Sequence, residues 1–304
     1  MHPVFIGGAG RSGTTLMVDL LGLHPQLSPV YETDFVPSLI KIIAAPAPAA
    51  DRAEAVSLLM DRWTACLQDR PSGKRAHERY HHGPHYLRFT RQTAMELTDN
   101  LVAEIAGGTP WRGLQKLVLE LFAEHAAADG KPYWINKNPS YVLRLPELSK
   151  LFPGMKFIHC VRDGRAVAAS AMTRSWGPKT IAGAATWWSE RVVEGLLFEQ
   201  AHPGQVLRVR YEALLQDPVQ TFSTIEAWLG LPAGGIVDRH HRAGFAFDPS
   251  RLDAWKTQLT LAQQTEFGTA AGRTLRLLGY TAAGVSGSTP AGAQPGAQAG
   301  FSAA

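Results

Sequence analysis

The sequence predicts a three-layer α/β fold, in which helices cover both faces of a mostly parallel central sheet. Strand-like apolar runs near residues 4, 134, 158 and 208 alternate with stretches of helical periodicity. The run from Lys156 to Val161 is nearly continuous in apolar residues, which is typical of an inner strand of a parallel sheet. Ligands of such sheets bind at the carboxyl ends of the strands, so the functional residues are expected there.

The turn after the first strand has the layout of a phosphate-binding loop. Gly8 and Gly13 have the Gly-x-x-x-x-Gly spacing of a Walker A loop, between an apolar strand and an apolar helix. A Walker A loop continues with a lysine that reaches the β- and γ-phosphates, whereas this chain has Thr14 there and a cation earlier, at Arg11. The expected fold is therefore P-loop-like, with an anionic ligand other than an ordinary nucleoside triphosphate.

A second anion site is predicted after the strand that ends near Val161. Arg162 follows this strand, and Ser170 and Arg174 come later in a helical pattern. Because Ser170 and Arg174 are four residues apart, they are expected to share one face of a helix. Two guanidinium groups and a hydroxyl can then bind one phosphate together.

The segment Gly10–Leu16, Gly-Arg-Ser-Gly-Thr-Thr-Leu, resembles the 5′-phosphosulfate loop of sulfotransferases that use 3′-phosphoadenosine 5′-phosphosulfate (PAPS). The chain is most similar to the tyrosylprotein sulfotransferase branch, in which His-Pro, Glu-Thr and Pro follow, as they do here at His24, Glu32 and Pro37. The resemblance implies a sulfotransferase-type fold and the transfer of a sulfuryl group from PAPS to an acceptor hydroxyl.

The resemblance also implies roles for individual residues. Those implied for the 5′-phosphosulfate are Arg11, Ser12, Gly13, Thr14 and Thr15. Those implied for the 3′-phosphate are Arg162, Ser170 and Arg174, with Arg251 and Lys256 as further candidates in the segment 247–256, which is expected to cover the nucleotide. Tyr211, in a Tyr-Glu-x-Leu segment, matches a tyrosine near the nucleotide, although a purely structural role is equally open.

Lys137 and Glu32 are the candidates for the chemical step. Lys137 ends a strand-like run, and it matches a lysine that contacts the transferred group, although the family has Asn-Lys-Asp-Pro where this chain has Asn-Lys-Asn-Pro. Glu32 matches the proposed general base, which transfer to a hydroxyl requires, and Asp34 is the local alternative. Arg11 and Lys137 would offset charge on the sulfuryl group and the leaving phosphate, so no metal is expected.

Composition excludes several classes of protein. The 304 residues carry a formal net charge of +4 without a long basic run, which suits an anionic cosubstrate and argues against nucleic acid as a partner. Cys66 and Cys160 are too few for a disulfide framework, and Cys160 is expected to be a buried thiol. No apolar run approaches the length of a membrane span, and the first strand begins almost at Met1, so a cytoplasmic protein without membrane contact is expected.

One sulfotransferase domain is expected over residues 1–281, with a helical, acceptor-side region at 38–130. The Gly/Ala/Ser/Pro-rich tail, residues 282–304, is expected to be disordered. Between residues 75 and 91, arginine and histidine alternate with aromatic residues. This segment is either a solvated loop or a basic lip for an acidic acceptor, and its histidine spacing fits no common metal site.

Other functions stay open from sequence alone. A divergent P-loop kinase would show magnesium-dependent ATP turnover, and a binding protein for PAPS or its desulfated product (PAP) would bind without turnover. The acceptor is either a tyrosine in an acidic peptide, as the resemblance implies, or the hydroxyl of a small molecule or glycan. The oligomeric state is also open, with a homodimer as one option.

Overall fold

The structure is a computed structural model that describes residues 1–65, 67, 87–281 and 284–285. The strands are β1 (Val4–Gly8), β2 (Leu27–Tyr31), β3 (Tyr133–Lys137), β4 (Lys156–Val161), β5 (Val206–Arg210), β6 (Tyr280–Thr281) and β7 (Gly284–Val285). The first five form one sheet in the order β2-β3-β1-β4-β5, in which every pairing is parallel. The last two form a short antiparallel ribbon.

Helices connect and flank the strands. The α-helices are α1 (Thr14–Leu21), α2 (Phe35–Ala44), α3 (Ala49–Ala65), α4 (Arg91–Ala106), α5 (Pro110–Ala128), α6 (Leu145–Leu151), α7 (Gly164–Ala171), α8 (Ile181–Ala201), α9 (Tyr211–Gln216), α10 (Pro218–Leu229), α11 (Ile236–Arg242), α12 (Trp255–Gln258) and α13 (Leu261–Leu277). Among the described residues, two 3₁₀ helices span Pro139–Leu143 and Pro249–Leu252. None of the helices in the described ranges is long and apolar enough to cross a membrane.

Each face of the sheet packs on its own hydrophobic core. Successive side chains of a strand point to opposite faces. Phe5 accordingly joins the core formed with α2 to α6, whereas Val4 and Ile6 join the core formed with α1 and α10. A third cluster, which includes Trp188 and Phe267, holds α7, α8 and α13 together. These side chains are almost fully buried, and each burial stabilises the fold by about 1.5–3 kcal/mol.

The four strands expected from the sequence are β1, β3, β4 and β5, so the predicted three-layer α/β fold is confirmed. β2 was not predicted. Its sequence, Leu-Ser-Pro-Val-Tyr, contains Pro29, which normally argues against a strand. Because β2 lies at the edge of the sheet, the missing N–H of Pro29 is compatible with its pairing to β3.

The segment between β3 and β4 is helical but interrupted. The segment forms the 3₁₀ helix Pro139–Leu143 and the separate helix α6, which meet at Arg144. Pro146 explains the interruption, because it lacks the N–H that would continue the helical ladder and it stands in the first turn of α6.

Several sequence-based expectations concern residues that lie outside the described ranges. These are Cys66, residues 75–86 of the basic and aromatic segment, and the tail apart from Gly284 and Val285. Cys160 is described and buried in β4, as predicted. Burial raises the pKa of its thiol to about 12, so this thiol stays protonated at neutral pH.

Candidate active site

The predicted phosphate-binding loop connects β1 to α1 and presents the amino end of that helix. Arg11 has φ 72° and Gly13 has φ 87°, so two left-handed residues turn the chain sharply before Thr14. Glycine is required at position 13 for a second reason, because a Cβ there would lie 2.5 Å from Cδ2 of Tyr211. The loop is thus shaped by contact with a residue that lies far along the chain.

Ser12 is the buried polar residue of this loop. It is 2% exposed, and its Oγ has no hydrogen-bond partner among the described residues. A buried hydroxyl without a partner is costly. Beside a helix amino terminus, such a group fits the binding of an anionic ligand that would supply the missing acceptor.

Arg11 and Ser170 join the two predicted anion sites. Arg11 Nε donates to Ser170 Oγ at 2.9 Å, across 159 positions of sequence. Arg162 completes the junction, because its Nη1 donates to the Arg11 carbonyl at 3.2 Å and its guanidinium stacks 4.2 Å from the ring centroid of Tyr211. Two guanidinium groups, a hydroxyl and an aromatic ring therefore meet at the carboxyl edge of the sheet, which is a suitable arrangement for a multiply charged anion.

Arg174 does not have the predicted geometry. Helix α7 ends at Ala171, so Ser170 and Arg174 do not share a helix face, and Arg174 lies exposed in the following turn. The reason is local, because the carbonyl of Arg174 accepts hydrogen bonds from Gly177 N and from Lys179 Nζ, which belong to a turn. The geometric argument for Arg174 was wrong, and its role rests on the resemblance alone.

The segment expected to cover the nucleotide approaches the same junction. Arg162 Nη2 donates to the Arg251 carbonyl at 3.1 Å. The Arg251 side chain pairs with Asp248, and that of Lys256 pairs with Asp253. The segment is therefore connected to the second anion site through the Arg251 backbone, whereas the two basic side chains themselves bind local carboxylates.

Directly after Arg162, Asp163 belongs to a buried network that sequence reasoning missed. Arg165 is 4% exposed and binds both carboxylate oxygens of Asp163, with Nη2 2.7 Å from Oδ2. The Arg165 guanidinium also lies 4.0 Å from the Trp255 ring centroid and donates to the Thr281 carbonyl at 2.7 Å. The network ties α7, α12 and β6 together. An Asp in the position before a helix is a capping signal that sequence reading could have used.

Glu212, on α9, extends this network. It is buried, accepts the Asp163 N–H at 2.9 Å and accepts the Tyr280 hydroxyl at 2.9 Å. Burial raises the pKa of the Glu212 carboxyl, and these hydrogen bonds oppose that shift. Tyr211, one residue earlier, is held in place as part of the same helix start.

The second part of the site is centred on Lys137 at the end of β3. Lys137 is fully buried, its Nζ contacts the Glu32 carboxylate, and the same Nζ lies 3.2 Å from Thr15 Oγ1. Burial lowers the pKa of the Lys137 ammonium, and the negative charge of Glu32 opposes that shift. The structure therefore brings the predicted base, the predicted cation and one hydroxyl of the phosphate-binding loop into direct contact.

Strand pairing explains this contact. Tyr31 is paired with Lys137 in the β2–β3 register, so Glu32 leaves β2 beside the end of β3. Asp34, the alternative base, instead accepts a hydrogen bond from Asn138 Nδ2 at 2.8 Å. Burial raises the pKa of Asp34, and this hydrogen bond opposes the shift. The two candidate carboxylates thus lie on the same loop but have different partners.

No group of three or more His, Cys, Asp and Glu side chains within the described ranges is arranged to hold a metal ion. The charged groups that converge at the carboxyl edge of the sheet are instead Arg11, Arg162, Lys137 and Glu32. This edge is where an open parallel sheet normally binds its ligand.

Known proteins resemble this chain in sequence and in fold. Protein-tyrosine sulfotransferase 2 of Gallus gallus is 28% identical over 252 residues, which are 79% of this chain and 54% of that protein. A putative protein-tyrosine sulfotransferase of Caenorhabditis briggsae is 27% identical over 246 residues, 78% of this chain and 69% of that protein. The solved sulfotransferase domain of the Synechococcus PCC 7002 olefin synthase has a similar fold, with a TM-score of 0.57 at 23% identity, covering 90% of this chain and 94% of that chain.

The chain spans about half the length of the Gallus gallus relative. The family model described as "Sulfotransferase family" matches residues 3–234, which is well over half of the chain. The matched residues include the loop of Arg11, the Glu32–Lys137 pair and the Arg162 junction. The resemblance noted in the sequence is therefore confirmed, and the chain belongs to the sulfotransferase family.

Proposed function

We propose that the protein transfers a sulfuryl group from PAPS to an acceptor hydroxyl. The observation that carries this proposal is the hydrogen bond between Arg11 and Ser170, which joins two anion-binding motifs from distant parts of the chain. A nucleotide with phosphate groups at both the 3′ and the 5′ position of its ribose needs two such motifs at a fixed separation. Membership of the sulfotransferase family supports PAPS as the sulfate donor.

The donor would be held by its two charged ends. The 5′-phosphosulfate fits the loop, where Ser12 Oγ, which has no partner in the described part of the chain, the amino end of α1 and Arg11 offer donors. Gly13, Thr14 and Thr15 complete this group of binding residues. The 3′-phosphate fits Arg162 and Ser170, with Arg174 nearby in sequence and Tyr211 beneath the Arg162 guanidinium.

The chain's own groups carry the chemical step. The acceptor oxygen forms a bond to sulfur as the bond from sulfur to the phosphate oxygen breaks, and PAP leaves. Glu32 accepts the proton of the acceptor hydroxyl. Arg11 and Lys137 stabilise the charge that develops on the sulfuryl group and the leaving phosphate, in the role that magnesium has for triphosphates.

A tyrosine hydroxyl in a protein or peptide is the proposed acceptor. The support is that the two relatives described above are named protein-tyrosine sulfotransferases. Their names describe those proteins, and the proposal extends the same chemistry to this chain.

The test is incubation with ³⁵S-labelled PAPS and a panel of tyrosine peptides, phenols and glycans. We expect label in at least one tyrosine-containing product, together with an equal amount of PAP. Tight PAP binding without labelled product from any acceptor would identify a binding protein instead. Magnesium-dependent turnover of ATP would identify a kinase.

A further inference from the structure

A cavity of about 610 Å³ lies between α2, the 3₁₀ helix Pro139–Leu143 and α8. The residues that contribute its charged and polar lining are Asp34, Lys41, Ser140, Arg144, Glu190 and Glu194. None of the residues predicted to hold the donor lines it. The cavity is therefore distinct from the two anion-binding motifs.

One wall of the cavity is built on the loops that carry the proposed base and cation. Asn138 follows Lys137 directly, and its Nδ2 donates to Asp34 Oδ1 at 2.8 Å. Its Oδ1 accepts from the Ser140 hydroxyl at 2.8 Å. Asp34 and Ser140 both line the cavity, so an occupant would lie next to the segments that directly follow Glu32 and Lys137.

The opposite wall is α8, which extends towards the phosphate-binding loop. Arg191 pairs with Glu190 at 3.0 Å and stacks 4.5 Å from the Trp187 ring centroid. A Cβ added to Gly10 would lie 3.4 Å from Trp187 and 3.3 Å from Trp176, whose ring is beside it. One wall of the cavity is thus next to the loop of the proposed base, and the helix that forms another wall also contacts the phosphate-binding loop through Trp187.

The charge of the lining is the informative property. Three carboxylates, Asp34, Glu190 and Glu194, line the cavity with two cations, Lys41 and Arg144. Arg144 lies 3.3 Å from Glu147 and Glu190 lies 3.0 Å from Arg191, and because both partners are outside the lining, the charges of Arg144 and Glu190 are each partly offset. The remaining charges of the lining are two carboxylates, Asp34 and Glu194, and one cation, Lys41, so the balance is negative.

We infer that this cavity binds the acceptor and favours a hydroxyl compound with an ammonium or guanidinium group close to the hydroxyl. Such a group would be attracted by Glu194 on α8 and by Asp34 beside the base. An acceptor with acidic neighbours, as the sequence resemblance implied, would bring carboxylates against these residues and be repelled. That the bound compound is sulfated rests on the proposed function. That it carries a positive charge rests on the lining of the cavity.

The test compares acceptors that differ in charge alone. Tyramine and 3-(4-hydroxyphenyl)propionate are phenols of similar size with opposite charge, and tyrosine peptides flanked by lysine, glutamine or glutamate form the second series. Binding to the PAP-saturated protein is measured by calorimetry, and transfer from PAPS is measured separately. The two series distinguish a small amine from a basic peptide as the source of the charge.

We expect the cationic member to be favoured by ~10-fold at low salt in at least one series, and the preference to shrink as ionic strength rises. Glu194→Gln should reduce this preference by ~2- to 5-fold, the usual effect of one exposed charge. Glu266→Gln is the matched control, because Glu266 is also an exposed glutamate on a helix and is not in the lining. This control should leave the preference unchanged.

Stronger binding of the anionic members in both series, or a preference that Glu194→Gln leaves unchanged, overturns the inference. Failure of the proposed function gives a different result. In that case cationic phenols bind preferentially but no acceptor receives sulfate, which supports the cavity's charge preference and rejects the transferase.

Discussion

The Lys137 ammonium contacts the Glu32 carboxylate at the ends of two neighbouring parallel strands, β3 and β2. Lys137 is fully buried, whereas the Glu32 side chain is 31% exposed. A buried ammonium is stable when charged partners and hydrogen bonds replace water. In the proposed mechanism Glu32 accepts the acceptor's proton, and its negative charge also opposes the lowering of the Lys137 pKa by burial.

The first prediction concerns Glu32→Gln. This change keeps the size of the side chain but removes its ability to accept the acceptor's proton. Single-turnover transfer at saturating PAPS should fall by ~100- to 10,000-fold, the usual contribution of a positioned base. PAP affinity should stay close to that of the unmodified protein, and Asp34→Asn should reduce transfer much less. Near-normal transfer by Glu32→Gln, together with a large loss in Asp34→Asn, would move the base to Asp34.

The second prediction concerns the pH dependence of that variant. Burial already lowers the pKa of Lys137, and removing the Glu32 charge removes an opposing influence. The pKa of Lys137 should therefore fall further in Glu32→Gln. If charged Lys137 is needed, the residual activity should decline at a lower pH on the alkaline side than the activity of the unmodified protein. A pH–rate profile of both proteins measures this, and coincident alkaline limbs would contradict it.

The third prediction concerns the second anion site. PAP should bind much more tightly than adenosine 5′-phosphate, because the latter lacks the 3′-phosphate. Arg162→Ala should remove most of this difference, and the loss should appear in cosubstrate affinity more than in turnover at saturation. Arg112→Ala is a suitable control, since its side chain is 78% exposed on α5. Equal affinities for the two nucleotides in the unmodified protein would reject the 3′-phosphate site.

The fourth prediction concerns the buried pair of Arg165 and Asp163. Arg165→Leu would leave the Asp163 carboxylate buried without its main partner, with side chains of both residues 5% exposed at present. Removing one member of such a pair costs about 3–5 kcal/mol. Urea unfolding should show a loss of this size. A loss below about 1 kcal/mol would mean that the network contributes little to stability.

The fifth prediction concerns His159, which lies in the core on β4. Burial lowers its pKa to about 3, and neither ring nitrogen has a hydrogen-bond partner among the described residues. Between pH 6.5 and 3 the unfolded chain binds a proton at this position and the folded chain does not. The free energy of unfolding therefore decreases as the pH falls through this window, by up to about 1.4 kcal/mol per pH unit from this group.

His159→Phe removes this titration while keeping a planar ring in the same place. The stability of the variant relative to the unmodified protein should rise as the pH falls from 7 to 5, as measured by urea unfolding at each pH. A constant difference between the two proteins would show that His159 does not control acid sensitivity. A loss of stability from repacking would lower the free energy of unfolding of the variant by the same amount at every pH. The pH trend of the difference between the two proteins would therefore stay readable.

Local sequence patterns determined much of the fold and of the candidate site. The glycine spacing around Arg11 is sufficient to predict a strand, an anion-binding turn and a helix, because all three depend on neighbouring residues. The apolar run of β4 likewise predicts a buried strand with Arg162 at its end. Where the local pattern was ambiguous, prediction failed, as for Pro29 in β2 and for the early end of α7 before Arg174.

Only the tertiary structure decided how the parts of the candidate site meet. Glu32 and Lys137 are 105 positions apart, and their contact depends on the pairing of Tyr31 with Lys137 in the sheet. Strand register is set by packing of both faces and cannot be derived from either strand alone. The cavity between α2 and α8 also depends on the tertiary structure, because the helices that line it are distant in sequence. The sequence thus identifies which groups are available for the chemistry, and strand pairing determines which of them can act on the same atom.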